Sequence, residues 1–522
     1  MFSAVPKKSE AAFPPSLIFI SFLGSLLLAV LTKPWGMGLR PDSGCYLSAA
    51  RGLLNGQGLI TPDTWNHTLP LFKEGPLFSL ILAALGLADL EPYTGARVFH
   101  IFLFGINIFL TGWATYHYSK SRGAALGAAF FVLSSFVTLW NHAMVLSEPT
   151  FIFFGLTGIL LLALFLDGGS KNYGLFWIAA ITLGLAFFTR YAAVSCVAVG
   201  VLGNFLLSKK PFPGKIRDSF WMGVVAVLPT ALWMLRNHFL VGQSTELSWN
   251  FAPYVSDHIR QLFGTISLWL LPKAAPVVLR VVLLFCFLTA LSAMTFYLIR
   301  QKKLPVNISA LLWLYIFSHI VVYFLTTALM AEQSFDHRSL SLVYVAGVIY
   351  LFIAGSRLWK NMTSKNLRFV LLLLCFGLGA SYAFRAARWG RDVYQNGLGF
   401  AARSWRQSQT LQKVKDLPPG TPIYTNGVDA VYLLTGKLSS GIPAKEDVLK
   451  VHIPDPNRRL MKNYPAEIEK MKEEMKRLDG VVVYLRGIQW RWYYPSEQEL
   501  AQSASLRIFE QYPDGAIYKV RE

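Results

Sequence analysis

Charge is what this 522-residue sequence has little of: Asp, Glu, Lys and Arg make up 15% of it, against roughly 25% in an ordinary soluble domain. The charges are clustered, which leaves apolar runs long enough to cross a hydrocarbon core of roughly 30 Å. Acids are the scarcer sign, 29 against 49 Lys and Arg, for a net charge of +20. That excess sits in short loops between apolar runs, the pattern of the positive-inside rule. It therefore argues for membrane lipid and against nucleic acid as a partner. Cysteine is sparse too. Cys45, Cys196, Cys286 and Cys375 show no metal spacing and three lie inside apolar runs, so no disulfide framework is implied. A Gly-rich phosphate loop, a Gly-x-Ser-x-Gly elbow, an HExxH pair and a solenoid period are all missing. The first apolar run, Ser16 to Leu31, lacks a small-residue cleavage site and reads as a retained anchor.

What is present is a series of apolar stretches at 16–32, 76–88, 97–118, 123–141, 149–167, 174–190, 191–208, 219–240, 276–300, 308–330, 339–355 and 367–384. Dense positive charge falls at Lys120–Arg122, Lys209–Arg217, Arg300–Lys303 and Arg357–Arg368. With Lys7 and Lys8 placed inside, these four connectors are also inside only if 76–88 does not cross. Thirteen residues rise about 20 Å as helix, too little for a crossing. The expectation is a mainly α, polytopic transmembrane bundle of eleven spans, with juxtamembrane helices at its outer surface. The segments 33–96, 142–148, the turn at Arg190, 239–275, 331–338 and everything after 385 then lie outside.

Two domains are expected, a membrane domain over 1–390 with its first outer loop at 33–96, and an outer α/β domain over 395–522. In the loop, Tyr46, Leu47, Ala50, Leu53 and Leu54 recur at helical spacing between Asp42 and Gly56, predicting an amphipathic helix on the membrane surface. The tail alternates helix (398–415), strand (422–424), helix (429–435), helix (465–478) and strand (481–485). Strands at 505–511 and 515–520 flank an Asp-Gly turn signal.

Ionisable groups at a membrane boundary are costly unless paired or functional, and on this topology five features share the outer side. Asp42 reads as a helix N-cap or as a general base, roles that are compatible. Lys73, ahead of Glu74-Gly75-Pro76, snorkels to headgroups or binds a phosphate. Glu148, between Ser147 and Pro149, complements a helix start, orients an acceptor or shares a metal with Asp42. Arg190 interrupts a long apolar stretch, and Arg338 follows Asp336-His337; each anchors the interface or binds phosphate. Tyr46, Glu74 and Tyr191 stand beside these residues as further substrate contacts. Two carboxylates are compatible with a divalent cation, Mg or Mn, but are an incomplete ligand set. His142, His238, His258 and His337 lack metal-site spacing.

The order of these motifs resembles the type C glycosyltransferase superfamily, in particular bacterial relatives of protein O-mannosyltransferases and lipid A aminoarabinose transferases. The likeness rests on Asp42-Ser-Gly-Cys-Tyr-Leu, Lys73-Glu-Gly-Pro-Leu-Phe, Ser147-Glu-Pro-Thr-Phe and Gly184-Leu-Ala-Phe-Phe-Thr-Arg-Tyr, with Ile423 to Lys437 resembling the outer appendage of such proteins. It covers roughly the first 350 residues plus that tail segment. It implies a polyprenyl-phosphate sugar as donor, an extracytoplasmic acceptor of unstated kind, Asp42 as base, and location in a bacterial inner membrane. A lipid-linked donor suits an outward-facing site, where cytoplasmic nucleotide sugars are out of reach. Many members carry a second acid after the first, and here that position is Ser43. A transporter or lipid-linked-sugar flippase is the rival reading, but the inverted repeats and mid-membrane charges expected of one are not found.

Overall fold

The computed structural model describes residues 15–243, 255–329, 334–446 and 461–521; Lys7, Lys8 and parts of the expected outer segments 239–275 and 331–338 lie outside these. The chain opens with α1 (Pro15–Leu31) and α2 (Pro41–Leu54), then a hairpin of β1 (Ile60–Thr64) and β2 (His67–Pro70), and α3 (Leu77–Gly86). The bundle continues through α4 (Pro92–Ser119), α5 (Arg122–Leu133), α6 (Phe136–Ala143), α7 (Glu148–Asp167), α8 (Tyr173–Thr189) and α9 (Val194–Leu207). It closes with α10 (Phe212–Val241), α11 (Val255–Leu270), α12 (Val277–Arg300), α13 (Val306–Leu329), α14 (Ser341–Asn361) and α15 (Lys365–Asn396).

Among the described residues, seven helices are long and apolar enough to cross a membrane, or eight if α5 and α6 form one bent span. α1, α8 and the Tyr191–Leu207 segment are apolar but shorter, so eleven crossings are reached only if these cross as well. The expected span at 123–141 is bent by 52° between α5 and α6. Ser134 closes α5, and the Ser135 side chain accepts from the Val137 amide to start α6 anew, an N-cap in mid-span.

α3 does not cross. The segment around it leaves and re-enters the bundle at one end, where the Tyr93 hydroxyl donates to the Met37 carbonyl at 2.8 Å and Arg97 donates to the Ala29 carbonyl. The basic connectors meet at the other end. There Tyr118 donates to Asp167, Asn307 to Asp167, Arg357 to the Tyr118 carbonyl, Lys360 to the Ser119 carbonyl, and Lys303 to Asn361. α7 is the enclosed centre, with 72% of its most apolar window buried, whereas α12 has 6% and lies at the periphery. Close approach of α8 to α10 depends on Gly184, where a β-carbon would lie 2.9 Å from the Ala226 backbone.

α2 corrects two expectations. Its N-cap is Arg40, with Pro41 in the first turn, so Asp42 is a first-turn residue and not the cap. Nor is it amphipathic with one polar face outward: Ser43, Gly44, Ser48 and Gly52 are buried along with Tyr46 and Leu47. The helix is enclosed by α3, β1 and the tail.

In the tail, α16 (Arg403–Arg406) and α17 (Gln409–Asp416) replace the single helix expected over 398–415. Ser408 starts the second of them by accepting from the Leu411 amide. β3 (Ile423–Thr425), α18 (Val428–Thr435), β4 (Ser440–Gly441), α19 (Tyr464–Leu478) and β5 (Val481–Leu485) follow, then α20 (Glu497–Ser503), β6 (Leu506–Tyr512) and β7 (Gly515–Val520). The sheet order is β4-β3-β5-β7-β6. β3 is parallel to both β4 and β5, and β7 is antiparallel to β5 and β6. This small domain sits against the membrane domain at the α2 end. Leu39 bridges Gly399 and accepts from the Phe400 amide, and α18 packs on α2.

Candidate active site

Four short segments converge under α2. The backbone of Gly38 exchanges hydrogen bonds with Ala143 and Val145, and the Ser43 hydroxyl donates to the Val145 carbonyl at 2.8 Å. Ser43 also accepts from the Arg40 amide at 2.9 Å. The position where related motifs carry a second acid is therefore a buried structural hydroxyl that fixes α2 against the start of α7. That placement sets Asp42 facing Glu148.

The two carboxylates are joined by one guanidinium. Arg338 Nε donates to Glu148 Oε1 at 2.6 Å, and its Nη2 donates to Asp42 Oδ2. Arg190 Nη1 reaches the same Glu148 oxygen at 2.8 Å. Arg338 is itself positioned by Asp336, whose carboxylate accepts from the Arg338 and Ser339 amides at 2.9 Å each. Glu148 is 1% exposed, whereas Asp42 is 28% and Arg190 21% exposed. One acid is thus sealed in and the other opens outward.

Burial raises the Asp42 carboxyl, but the Arg338 contact, with Arg40 and Arg190 beyond it, more than offsets this and holds Asp42 below the usual carboxylate range. Burial likewise opposes the charge on Arg190 and Arg338, and the facing acids outweigh it, so both stay protonated. Glu74 behaves differently. Burial, with Asp42 nearby, pushes it up to about 7 despite Arg190 and a hydrogen bond from Tyr46. The Tyr46 hydroxyl donates to Glu74 Oε2 at 2.9 Å and lies 2.9 Å from Ser147 Oγ. Tyr191 donates to the Phe72 carbonyl at 3.0 Å and accepts from Trp233 Nε1 at 3.1 Å. The Lys73 side chain is on the exposed rim, its ammonium 6.0 Å from the Phe72 ring centre.

Asp42, Glu148, Arg190, Arg338, Tyr46 and Glu74 are therefore brought together, with Tyr191 bracing the Lys73–Glu74 turn from behind. Arg190 and Arg338, expected to face a phosphate, each engage a carboxylate, and Arg338 takes both. Arg338 holds one oxygen each of Asp42 and Glu148, Glu148 Oε2 is buried without a hydrogen-bond partner among the described residues, and among those residues no group of three His, Cys, Asp or Glu could hold a metal ion. Sequence reading passed over Arg40, Ser147, Asp336 and Arg236. Arg236 donates to the Leu71 carbonyl at 2.9 Å and stacks 4.5 Å over Trp233. The signal for Arg40 and Asp336 was nearness to chosen residues; Arg236 is the single Asp, Glu, Lys or Arg residue in the apolar 219–240 stretch.

Three comparisons bear on this arrangement. The sequence of residues 68–242 matches the family described as dolichyl-phosphate-mannose-protein mannosyltransferase. An uncharacterized protein of Aquifex aeolicus is 24% identical over 229 residues, 43% of each chain, so the match spans less than half of that relative. ArnT from Cupriavidus metallidurans in the apo state superposes with a TM-score of 0.60 at 13% identity, over 97% of both chains. The fold is that of the type C glycosyltransferases. The same ArnT bound to undecaprenyl phosphate gives 0.59 at 11% identity, over 97% of this chain and 98% of that one. Archaeal oligosaccharyltransferase AglB from Archaeoglobus fulgidus, in complex with an inhibitory peptide and a dolichol-phosphate, gives 0.55 at 11%, over 97% of this chain and 74% of that one. The likeness extends through the C-terminal sheet as well as the type C bundle.

Proposed function

We propose that the protein is an integral membrane glycosyltransferase that moves a sugar from a polyprenyl-phosphate carrier to an extracytoplasmic acceptor. The observation that carries this reading is the pair of acids tied by Arg338, one sealed and one open. Asp42 is ionised, oriented and accessible, which is what a general base requires. It takes the proton of an acceptor hydroxyl or amine. That nucleophile attacks the anomeric carbon opposite the phosphate; the carbon–oxygen bond to phosphate breaks, configuration inverts, and polyprenyl phosphate departs. Lys73 and the exposed part of Arg190 face the phosphate and stabilise its developing charge, an electrostatic term that often dominates catalysis. Glu148 holds the two arginines. The carriers bound by ArnT and AglB support a lipid phosphate as donor.

The test is transfer from radiolabelled polyprenyl-phosphate sugars by purified protein, with a membrane extract as acceptor, comparing the native chain with Asp42→Asn. Label in a new product only with the native chain supports the reading. Carrier-linked sugar crossing vesicles without transfer would replace it with a flippase. Because Arg338 occupies the facing carboxylate oxygens, transfer is expected to survive a chelator. Loss restored by Mg or Mn would put a divalent cation at Asp42 and Glu148 instead.

A further inference from the structure

The small C-terminal domain has a crevice that the reaction above does not use. Its parallel core runs β3, then β4 on one side, then β5 on the other. Connections that leave a strand in opposite directions open a crevice beyond the carboxyl ends of the strands, where α/β sheets bind ligands. Here that place lies between Thr425 and Leu485. Asn426 spans it, donating to the Leu485 carbonyl at 3.0 Å and accepting from its amide at 2.8 Å. A groove of about 620 Å³ lies at this end of the sheet, lined by Tyr484, Gln489, Arg491, Trp492 and Tyr494 among others, a volume in the range of small-ligand sites.

Arg491 is the built part of this groove. Its side chain is 10% exposed, donating to the Asn426 carbonyl at 3.0 Å and pairing with Asp429. Its Nε is buried with no hydrogen-bond partner among the described residues, and a buried donor left unmade is costly. The groove also points towards the reaction. Asp429 and Leu433 are four apart on α18, hence on one face, and Leu433 is the side chain nearest the Gly44 position of α2. Gly44 is two residues from Asp42.

We infer that this crevice binds a saccharide, the non-reacting part of the acceptor, and presents its next residue to Asp42. Sugar rings offer an apolar C–H face and a hydroxyl edge. The lining supplies both kinds of group, the rings of Tyr484, Trp492 and Tyr494 beside the polar side chains of Gln489 and Arg491. Peptide capture by strand addition needs a free sheet edge. One edge, β4, has the first-loop hairpin packed beside it, the Trp65 amide donating to the Ser440 hydroxyl, and the other, β6, is two strands from the crevice.

The acceptor role rests on the transferase reading; the binding does not, and one experiment separates them. Saturation-transfer NMR on the full chain in nanodiscs, with mannose, glucose and N-acetylglucosamine oligosaccharides as probes, reads binding directly. At least one oligosaccharide should bind the native chain and Asp42→Asn alike, and lose at least tenfold in affinity with Trp492→Ala and with Arg491→Lys. Should Arg491→Lys fail to fold, Trp492→Ala alone decides. No binding by any probe, binding unchanged in Trp492→Ala, or a Ser/Thr-rich peptide binding in place of the sugars would overturn the proposal. Sugar binding without any carrier turnover would leave the crevice standing and remove the transferase reading.

Discussion

Glu148 sends a single oxygen to both Arg190 and Arg338 from a position that is 1% exposed, so its charge is the one the cluster depends on most. Removing one partner of a buried ion pair costs about 3–5 kcal/mol, because the remaining charge is left uncompensated. Glu148→Gln is expected near the lower end, about 3 kcal/mol, since both arginines keep some solvent contact. Thermal unfolding in detergent measures it, and an unchanged midpoint would mean the arginines have other anchors. Asp42→Asn retains an oxygen for Arg338 and should fold normally, while kcat falls by about 10² to 10⁴, the usual scale of general-base help. Asp42→Ala retaining more than half its activity would remove the base assignment. Glu74 titrates near neutrality, at about 7. Below that it is protonated; above it, a second anion appears beside Asp42 and the phosphate site. Donor KM should therefore rise as pH climbs through about 7, and Glu74→Gln should abolish that limb. An identical profile in the variant would show that another group titrates.

At the scale of elements, the turn Lys73–Gly75 is held by backbone contact with the last turn of α8. A β-carbon on Gly75 would lie 2.4 Å from the Thr189 carbonyl oxygen and 2.6 Å from that of Phe188, atoms of the backbone that cannot rotate away. Gly75→Ala should push Lys73 and Glu74 off the Arg190 turn, cutting transfer with little change in helix content by circular dichroism; full activity would show that this contact is slack. The sequence carried the Lys-Glu-Gly-Pro motif but not the reason for its glycine, which lies 114 residues downstream at Thr189. The same limit explains the other misses. The hairpin of the first loop turns at Trp65-Asn66, which is not an Asn-Gly or Asp-Gly signal. β4 is two residues long and exists through its pairing with β3. The 398–415 helix breaks because Ser408 caps a new start, while α19, β5 and the β6–β7 hairpin, which carry strong local patterns, fell within a residue or two of their expected bounds. Pairings such as Arg338 with Asp42, 296 residues apart, have no local signature; what the sequence did offer was that both belonged to one face.

For the whole molecule, the charge distribution distinguishes the two ends of the bundle. Residues at or beside three of the basic connectors are hydrogen-bonded together at one end, and Asp42, Glu148, Arg190 and Arg338 cluster with the C-terminal domain at the other. Basic loops are retained in the cytoplasm, so the expectation is that the site end faces out, where a lipid-linked donor, unlike a nucleotide sugar, would reach it. Sidedness thus supports the chemistry, and it can be checked by itself. Gln57 lies at the site end and Lys171 at the basic end, and both are exposed. In a chain with Cys45 replaced, Gln57→Cys should react with a membrane-impermeant maleimide on intact cells, and Lys171→Cys only after permeabilisation. The reverse pattern would turn the site inward and let a soluble nucleotide sugar compete as donor. Labelling of both on intact cells would mean that the two ends are not on opposite sides, and the span parity that left α3 uncrossed would fall with it.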